Sequence, residues 1–218
     1  MTDTAVPATT DDLWTVMRTA SAIRRYRDEP VDDQTLERCL RAASWAPSGA
    51  NQQPWRFVVL RSDEVRAVVT AAAKRAWAEI QGFYRLTVPD HRADDPKSRV
   101  LRAMAEHMHV GGGAPVLVLF CVQPQPGASD LQQGASVFPA VQNFLLAARG
   151  QGLGAAITLW HSLCEDRLRD LVGIPDDWQL AALLTVGWPR GRHKPVRRKS
   201  LAEAAVIDHW DQPWSVGP

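Results

Sequence analysis

The chain has 218 residues, of which 25 are basic and 24 acidic, for a formal net charge of +1. That balance supplies no field to gather nucleic acid or an anionic membrane, and no apolar run approaches the roughly 20 residues needed to span a bilayer. The N-terminus "MTDTAVPATTDD" lacks the basic, apolar, small-residue succession of a secretory signal, and Cys39, Cys121 and Cys164 are odd in number and widely spaced, so a cytoplasmic protein without a disulfide or zinc framework is expected.

In chain order, residues 1–10 are small and polar and read as a disordered arm. "DDLWTVMRTASAIRRY" opens a first helix with Asp11 or Asp12 as cap and sets Leu13, Val16, Met17 and Ala20 at helical spacing. "DEPVDDQTLERCLRAASWAP" gives a second helix, capped by Asp32 or Asp33, with Leu36, Cys39, Leu40 and Ala43 on one face and Pro47 helping to stop it. "WRFVVL", residues 55–60, reads as a strand, and Ser62 caps a helix through "DEVRAVVTAAAKRAWAEI". From Gly82 to about Lys97 the sequence has no period and reads as a functional loop or lid, at the centre of a candidate lid segment, 75–112. "SRVLRAMAEHMHV" is a short helix, and "VLVLFCV", 116–122, has the continuous apolar character of a strand buried on both faces. "SVFPAVQNFLLAARGQG" is helical after Pro139, with Phe144, Leu145 and Ala148 inward. "AAITL" and "LAALLTVGW" are strands flanking the short helix "CEDRLRDLV". About four apolar strands alternate with helices around one sheet, without a repeat or a dividing linker, so 11–218 is expected to be a single α/β or α+β domain.

The polar motifs have plain readings as well as chemical ones. The glycines of "GQGLG", 150–154, end a helix and lead into a strand, the reverse of a dinucleotide fingerprint, and read as a helix cap. His107 and His109 point to opposite sides of a helix and cannot share a metal, and His161 with Cys164 reads as a loop and cap pair. Two basic clusters remain. "IRRYR" places Arg24, Arg25 and Arg27 at the end of the first helix, where cations complement the dipole; "HKPVRRK" places His193, Lys194, Arg197, Arg198 and Lys199 in what could be a solvated run. Convergence of both on one anion, such as a phosphate, is the alternative. "APSGANQQPW", 46–55, sets a hydroxyl and three side-chain amides at a junction between a helix and a strand, where polar atoms would be held against a ligand.

Taken together, "AIRRYRDEPVDDQTLERCLRAASWAPSGANQQPWRFVVL", "VQNFLLAARGQGLG" and "LLTVGWP" followed by a basic cluster and "SLAEAAV" resemble the signature blocks of the nitroreductase family of FMN-dependent flavoproteins. The blocks span residues 20–206 and are specific in combination. The resemblance implies an α+β fold with a central mixed sheet of about four to five strands, and a homodimer with FMN at the subunit interface. It further implies a C-terminal extension, 202–218 with Trp210 and Trp214, that embraces the partner. Carried over by position, Ser48, Asn51 and Gln53 would contact the flavin, with Ala50 beside the substrate. Ser21, Ala22, Arg197 and Arg198 would lie at the phosphate end, Arg24 at the polar edge of the ring, and Ile157, Thr158 and Leu159 along the ring. Phe83 and Tyr84 would belong to a substrate lid hinged near Gly82. Ala20 stands where the family usually has an arginine, so Arg25 or the C-terminal cluster is expected to compensate. The implied activity is transfer of reducing equivalents from NAD(P)H through FMN to a small organic acceptor, with no metal. Specialised dehalogenating, dehydrogenating or flavin-consuming relatives, and a flavin-binding module without turnover, are the competing readings.

Overall fold

The computed structural model describes residues 8–93, 95–111 and 113–214. At its centre lies β2 (Val116–Val122), buried along its whole length. β1 (Trp55–Leu60) pairs with one side of β2 and β4 (Gln179–Gly187) with the other, and β3 (Gly154–Thr158) closes the far edge, giving the order β1-β2-β4-β3. The alternation of β2 is legible in the core. Val116, Val118, Phe120 and Val122 pack into a cluster with α2 (Asp33–Ser44) and α5 (Asp130–Gly150), and Leu117, Leu119 and Cys121 pack into a second cluster with α3 (Asp63–Tyr84) and α4 (Pro96–His109). Burial raises the Cys39 thiol to about 12 and the Cys121 thiol to about 11, as expected of cysteines used as small hydrophobes.

Every pairing between named strands is antiparallel, which corrects the expectation of a mixed sheet. The reason lies in the connections. Two long helices, α3 and α4, separate β1 from β2, so the chain re-enters the sheet reversed. Only α5 separates β2 from β3, which therefore run the same way but are held apart by β4. The parallel character that remains is a single bridge between Ala22 and Ala155.

The helix starts follow the sequence closely. Asp12, Asp32, Ser62, Asp95 and Ser129 each accept a hydrogen bond from the backbone N–H three residues on, a cap worth about 1 kcal/mol. Three boundaries differ. α1 (Leu13–Thr19) stops well before the arginines assigned to its end. α3 runs on through Gly82, Phe83 and Tyr84, so these residues form its last turn and Gly82 is not a loop hinge. α5 begins at Asp130, ahead of Pro139, because Ser129 and Gln132 form a capping box and the burial of Val137, Ala140, Val141 and Phe144 outweighs the lost N–H. The tail carries α6 (Glu165–Val172) before β4 and a short α7 (Leu201–Ala204) after it. Among the described residues no helix is long and apolar enough to cross a membrane.

Of the expected disordered arm, residues 1–7 lie outside the described residues, but 8–10 are tied down. Thr10 N–H donates to Gly150 O at 3.0 Å, and Arg149 Nη1 donates to Ala8 O at 2.9 Å.

One glycine decides how close the N-terminal segment comes to the sheet. A methyl group on Gly154 would lie 2.5 Å from Ile23 Cγ2 and 2.7 Å from Ile23 Cβ, so only glycine lets residues 22–23 lie against β3. Gly154→Ala should therefore lower stability by about 1–3 kcal/mol through overpacking. A denaturant midpoint equal to that of the native chain would show that the segment moves aside without cost.

Candidate functional site

After Thr19 the backbone turns extended, with Ala20 at φ −70° and ψ 100°, and is then stitched to its neighbours. Ile23 N–H donates to Ala155 O at 3.1 Å and Arg27 N–H to Trp188 O at 2.8 Å; in return Arg190 N–H donates to Arg25 O at 3.0 Å and Val196 N–H to Arg18 O at 2.8 Å. Tyr26 anchors the middle. Its hydroxyl lies 2.8 Å from Thr185 Oγ1, and burial drives its pKa far above the ordinary phenol value. The first basic cluster is thus an extended strand-like piece and not a helix end, which removes the helix-dipole reading. Its arginines diverge: Arg25 pairs with Glu106 at 2.6 Å, and Arg27 with Glu29 at 3.0 Å.

Three adjoining hollows form around this stitch. The first, a cavity of about 250 Å³, is lined by Ser21, Ala22, Arg149, Ile157, His193 and Arg198, among others. The second is an open groove of about 880 Å³ between residues 22–25, α4 and the 190–197 segment, with Arg24, Arg99, Arg190 and Arg197 on its walls. The third, of about 180 Å³, joins Arg24, Ile157 and Thr158 to His107 and Trp160. Ala22 is shared by the first and second hollows, Arg24 by the second and third, and Ile157 by the first and third. Arg198 lines the first hollow and Arg197 the second.

The structure therefore brings Ser21, Ala22, Arg24, Ile157, Thr158, Arg197 and Arg198 together. Leu159 is exposed at the strand end and lines none of the three hollows. Ser48, Ala50, Asn51 and Gln53 stand elsewhere, on the turn that leads into β1, at the opposite edge of the sheet from β3. Three strand spacings of about 4.8 Å put roughly 14 Å between those edges. The turn is built for display. Ala50, Asn51 and Gln53 all have positive φ (49°, 54° and 50°), uncommon for residues with a Cβ, and Ser48 Oγ accepts from Gln53 N–H at 2.9 Å to hold the shape. Phe83 and Tyr84 stack edge to face at 4.8 Å, are 82% and 66% exposed, and line none of the three hollows. The part of the 75–112 segment that does wall the groove is α4, through Pro96, Val100 and Ala103.

Arg25 does not compensate for Ala20, because its pairing with Glu106 turns it to the groove and away from the first cavity. Two further residues line that cavity: Arg149, which sequence reasoning did not single out, and His193, which it named only as a member of the second basic cluster. Arg149 is 2% exposed and donates from Nε to Thr19 Oγ1 at 2.7 Å. His193 is 6% exposed and bonds through Nε2 to Gly152 O at 3.4 Å, and its Nδ1 has no partner among the described residues. "AARGQG" looks like a helix end and gives no sign of Arg149, while the basic run around "RHKP" does not single out His193 from its neighbours; the burial of both side chains does. Among the described residues the cavity is lined by three basic side chains, a hydroxyl, the Gln142 amide and no carboxylate, a set suited to a phosphate group, and the third hollow continues with Arg24 and mostly apolar walls, which suit a flat ring. His161 and Cys164 form no dyad: His161 Nε2 bonds Leu180 O at 3.1 Å, and Cys164 Sγ bonds Trp160 O at 3.6 Å.

Comparison with known proteins places this geometry. A model of the Nitroreductase family matches residues 17–188. A 5,6-dimethylbenzimidazole synthase from Rhodospirillum rubrum is 30% identical over 86% of each chain. A nitrobenzene nitroreductase from Ectopseudomonas oleovorans is 28% identical, covering 82% of this chain and 86% of its own, and an iodotyrosine deiodinase from Hydra vulgaris is 27% identical, covering 90% and 72%. Among solved structures, one from Desulfovibrio desulfuricans in complex with FMN superposes with a TM-score of 0.66 at 27% identity, covering 93% of this chain and 99% of that one. The matched region spans the stitched segment, the central sheet and the strands around the three hollows, and the chain belongs to the nitroreductase family.

Proposed function

We propose that the chain is an FMN-dependent oxidoreductase that takes reducing equivalents from NAD(P)H and passes them to a small organic acceptor, working as a homodimer. The observation that carries this reading is the continuity of the three hollows. A cationic cavity of phosphate size leads past Ala22 to Arg24 and Ile157, with a groove open beside them. FMN, when bound, would supply the hydride-accepting and hydride-donating ring, which accounts for the lack of an acid/base pair among these residues.

The chain's own residues then have separable tasks. Arg198 and the Ser21 hydroxyl bind the phosphate in the first cavity. Arg24, where the second and third hollows meet, favours negative charge arriving there during reduction. Arg24, Arg99, Arg190 and Arg197 give the groove a positive lining, and the one acid on its wall, Glu106, is already paired with Arg25. A groove of that sign suits a polyanionic donor such as NAD(P)H and steers it inward. The relatives include a nitroreductase, a deiodinase and a synthase, so the acceptor is the open variable, and product analysis across nitroaromatics, quinones and halogenated phenols decides it.

Dimerisation follows from reach. The 48–53 turn and Arg198 flank opposite edges of one sheet, so a single chain does not present both to one flavin, whereas the turn of a second copy would complete the site. Exposed large apolar side chains support such a contact: Trp14 is 78% exposed, Trp45 73% and Trp210 93%. The described tail folds back on itself, with Trp214 N–H donating to Ala205 O at 2.9 Å, and leaves Trp210 93% exposed and available to a partner.

Four outcomes are expected. Purified protein should be yellow and release FMN on denaturation, and Arg198→Ala should weaken FMN binding by roughly 10- to 150-fold, the worth of a charge-assisted hydrogen bond, while Arg197→Ala changes it little. Fluorescence titration reads the difference, and equal small losses would return the cluster to a solvated run. Truncation after Ala204 should lower the mass seen by light scattering from dimer to monomer and reduce flavin content. Replacing Phe83 and Tyr84 by alanine should leave the flavin spectrum, FMN affinity and acceptor KM of the chain nearly unchanged, since neither ring is part of the core or lines a hollow; steady-state kinetics with several acceptors checks it, and a changed KM would place these rings over the site of a partner copy.

A further inference from the structure

The first cavity contains an arrangement that phosphate binding by Arg198 does not use. His193 reaches it from the C-terminal segment, and Arg149 reaches it from α5. A carbonyl oxygen can only accept, so the bond between His193 Nε2 and Gly152 O puts the ring hydrogen on Nε2. Nδ1 then carries a lone pair with no partner among the described residues, in a side chain that is 6% exposed. A second proton on this ring can go only to Nδ1.

We propose that His193 takes up a proton when a phosphate monoester enters this cavity, so that protonated His193 and Arg149 together supply the positive charge that Ala20 withholds. The identity of the ligand as FMN rests on the flavin reading above; the proton-linked anion pocket rests on the cavity itself.

The electrostatics have a definite sign. The charged groups that line the cavity beside His193 are Arg149 from α5 and Arg198 from its own segment; residues 20–22 bring only the Ser21 hydroxyl, and β3 brings Ala155, Ala156 and Ile157. No carboxylate among the described residues lines it. Burial first, and Arg149 second, therefore hold the empty-cavity imidazole below the ordinary histidine pKa, with the bond to Gly152 O opposing them. A phosphate dianion reverses the balance. It offsets Arg149 and Arg198, and it favours the imidazolium over the neutral ring. Binding thus draws a proton from solvent, and affinity falls as pH rises through the bound-state pKa. The same depression means that without an anion folding loses stability as pH falls below about 6.5, the unfolded histidine value, because the unfolded chain then binds the extra proton.

The test compares full-length protein, stripped of flavin, with His193→Gln, whose amide can still donate to Gly152 O. Both are titrated with FMN and with riboflavin, which lacks the phosphate, at pH 6 and pH 8. The second ionisation of the FMN phosphate, near pH 6, is common to both proteins and cancels in their ratio. Native protein should bind FMN about tenfold more tightly than the variant at pH 6, with the advantage shrinking at pH 8, and the two should bind riboflavin alike. An unchanged FMN ratio between the proteins at both pH values overturns the proposal. A second measurement follows the His193 ring resonance by NMR against pH with and without inorganic phosphate. An upward shift of its midpoint supports the pocket, and no shift counts against it. Failure of the flavin reading looks different: neither flavin binds, while phosphate still moves the resonance.

Discussion

The candidate site depends on one constraint, the close approach of residues 20–27 to the outer strand of the sheet. Backbone bonds from Ile23, Arg27, Arg190 and Val196 fix the N-terminal segment between β3 and the chain that follows β4. Ile23 and Val196 are half-buried and Arg27 and Arg190 exposed, so the stitch holds the segment by the same pairing of backbone groups that holds a sheet ladder. Once it is in place, residues 20–25 line the hollows one after another, and the returning C-terminal segment brings Arg197 to the second and Arg198 to the first. Gly154 is the permissive element, since any Cβ there would meet Ile23.

Much of this was legible in the sequence, and where it was not the cause is physical. Apolar runs and caps gave the strands and most helix starts, because burial and capping leave local signatures at fixed spacing. Pro139 misled because a proline inside a helix is costly in isolation, but Val137, Ala140 and Phe144 recover that cost through contacts that appear only in three dimensions. The arginines at 24, 25 and 27 misled in the other direction: they follow directly on a helical pattern, but the bonds to Ala155 and Trp188 are non-local and draw the segment out as extended chain.

For the site, the resemblance supplied residue positions that local reading could not rank, and the hollows sorted them by reach. It did not supply Arg149, and it gave His193 no role beyond membership of the basic cluster. A buried arginine and a solvated one read alike in sequence, and the difference is made by Thr19, which lies far away along the chain and receives the Arg149 guanidinium. The 48–53 turn shows the converse. Its three left-handed residues are visible only as backbone angles, yet they explain why small and amide side chains follow one another there.

The position of β2 also bears on how the protein is made. Its all-apolar sequence, VLVLFCV, has β1 available as soon as it leaves the ribosome, but its other neighbour, β4, does not begin until Gln179. At ordinary elongation rates the interval is about 3 to 11 seconds, during which one edge of a fully hydrophobic strand stays open to any other strand nearby. Synthesis of this chain therefore contains a window in which the nascent polypeptide depends on crowding, temperature and holdase capacity, and faster translation of the stretch between β2 and β4 is a direct means of raising soluble yield.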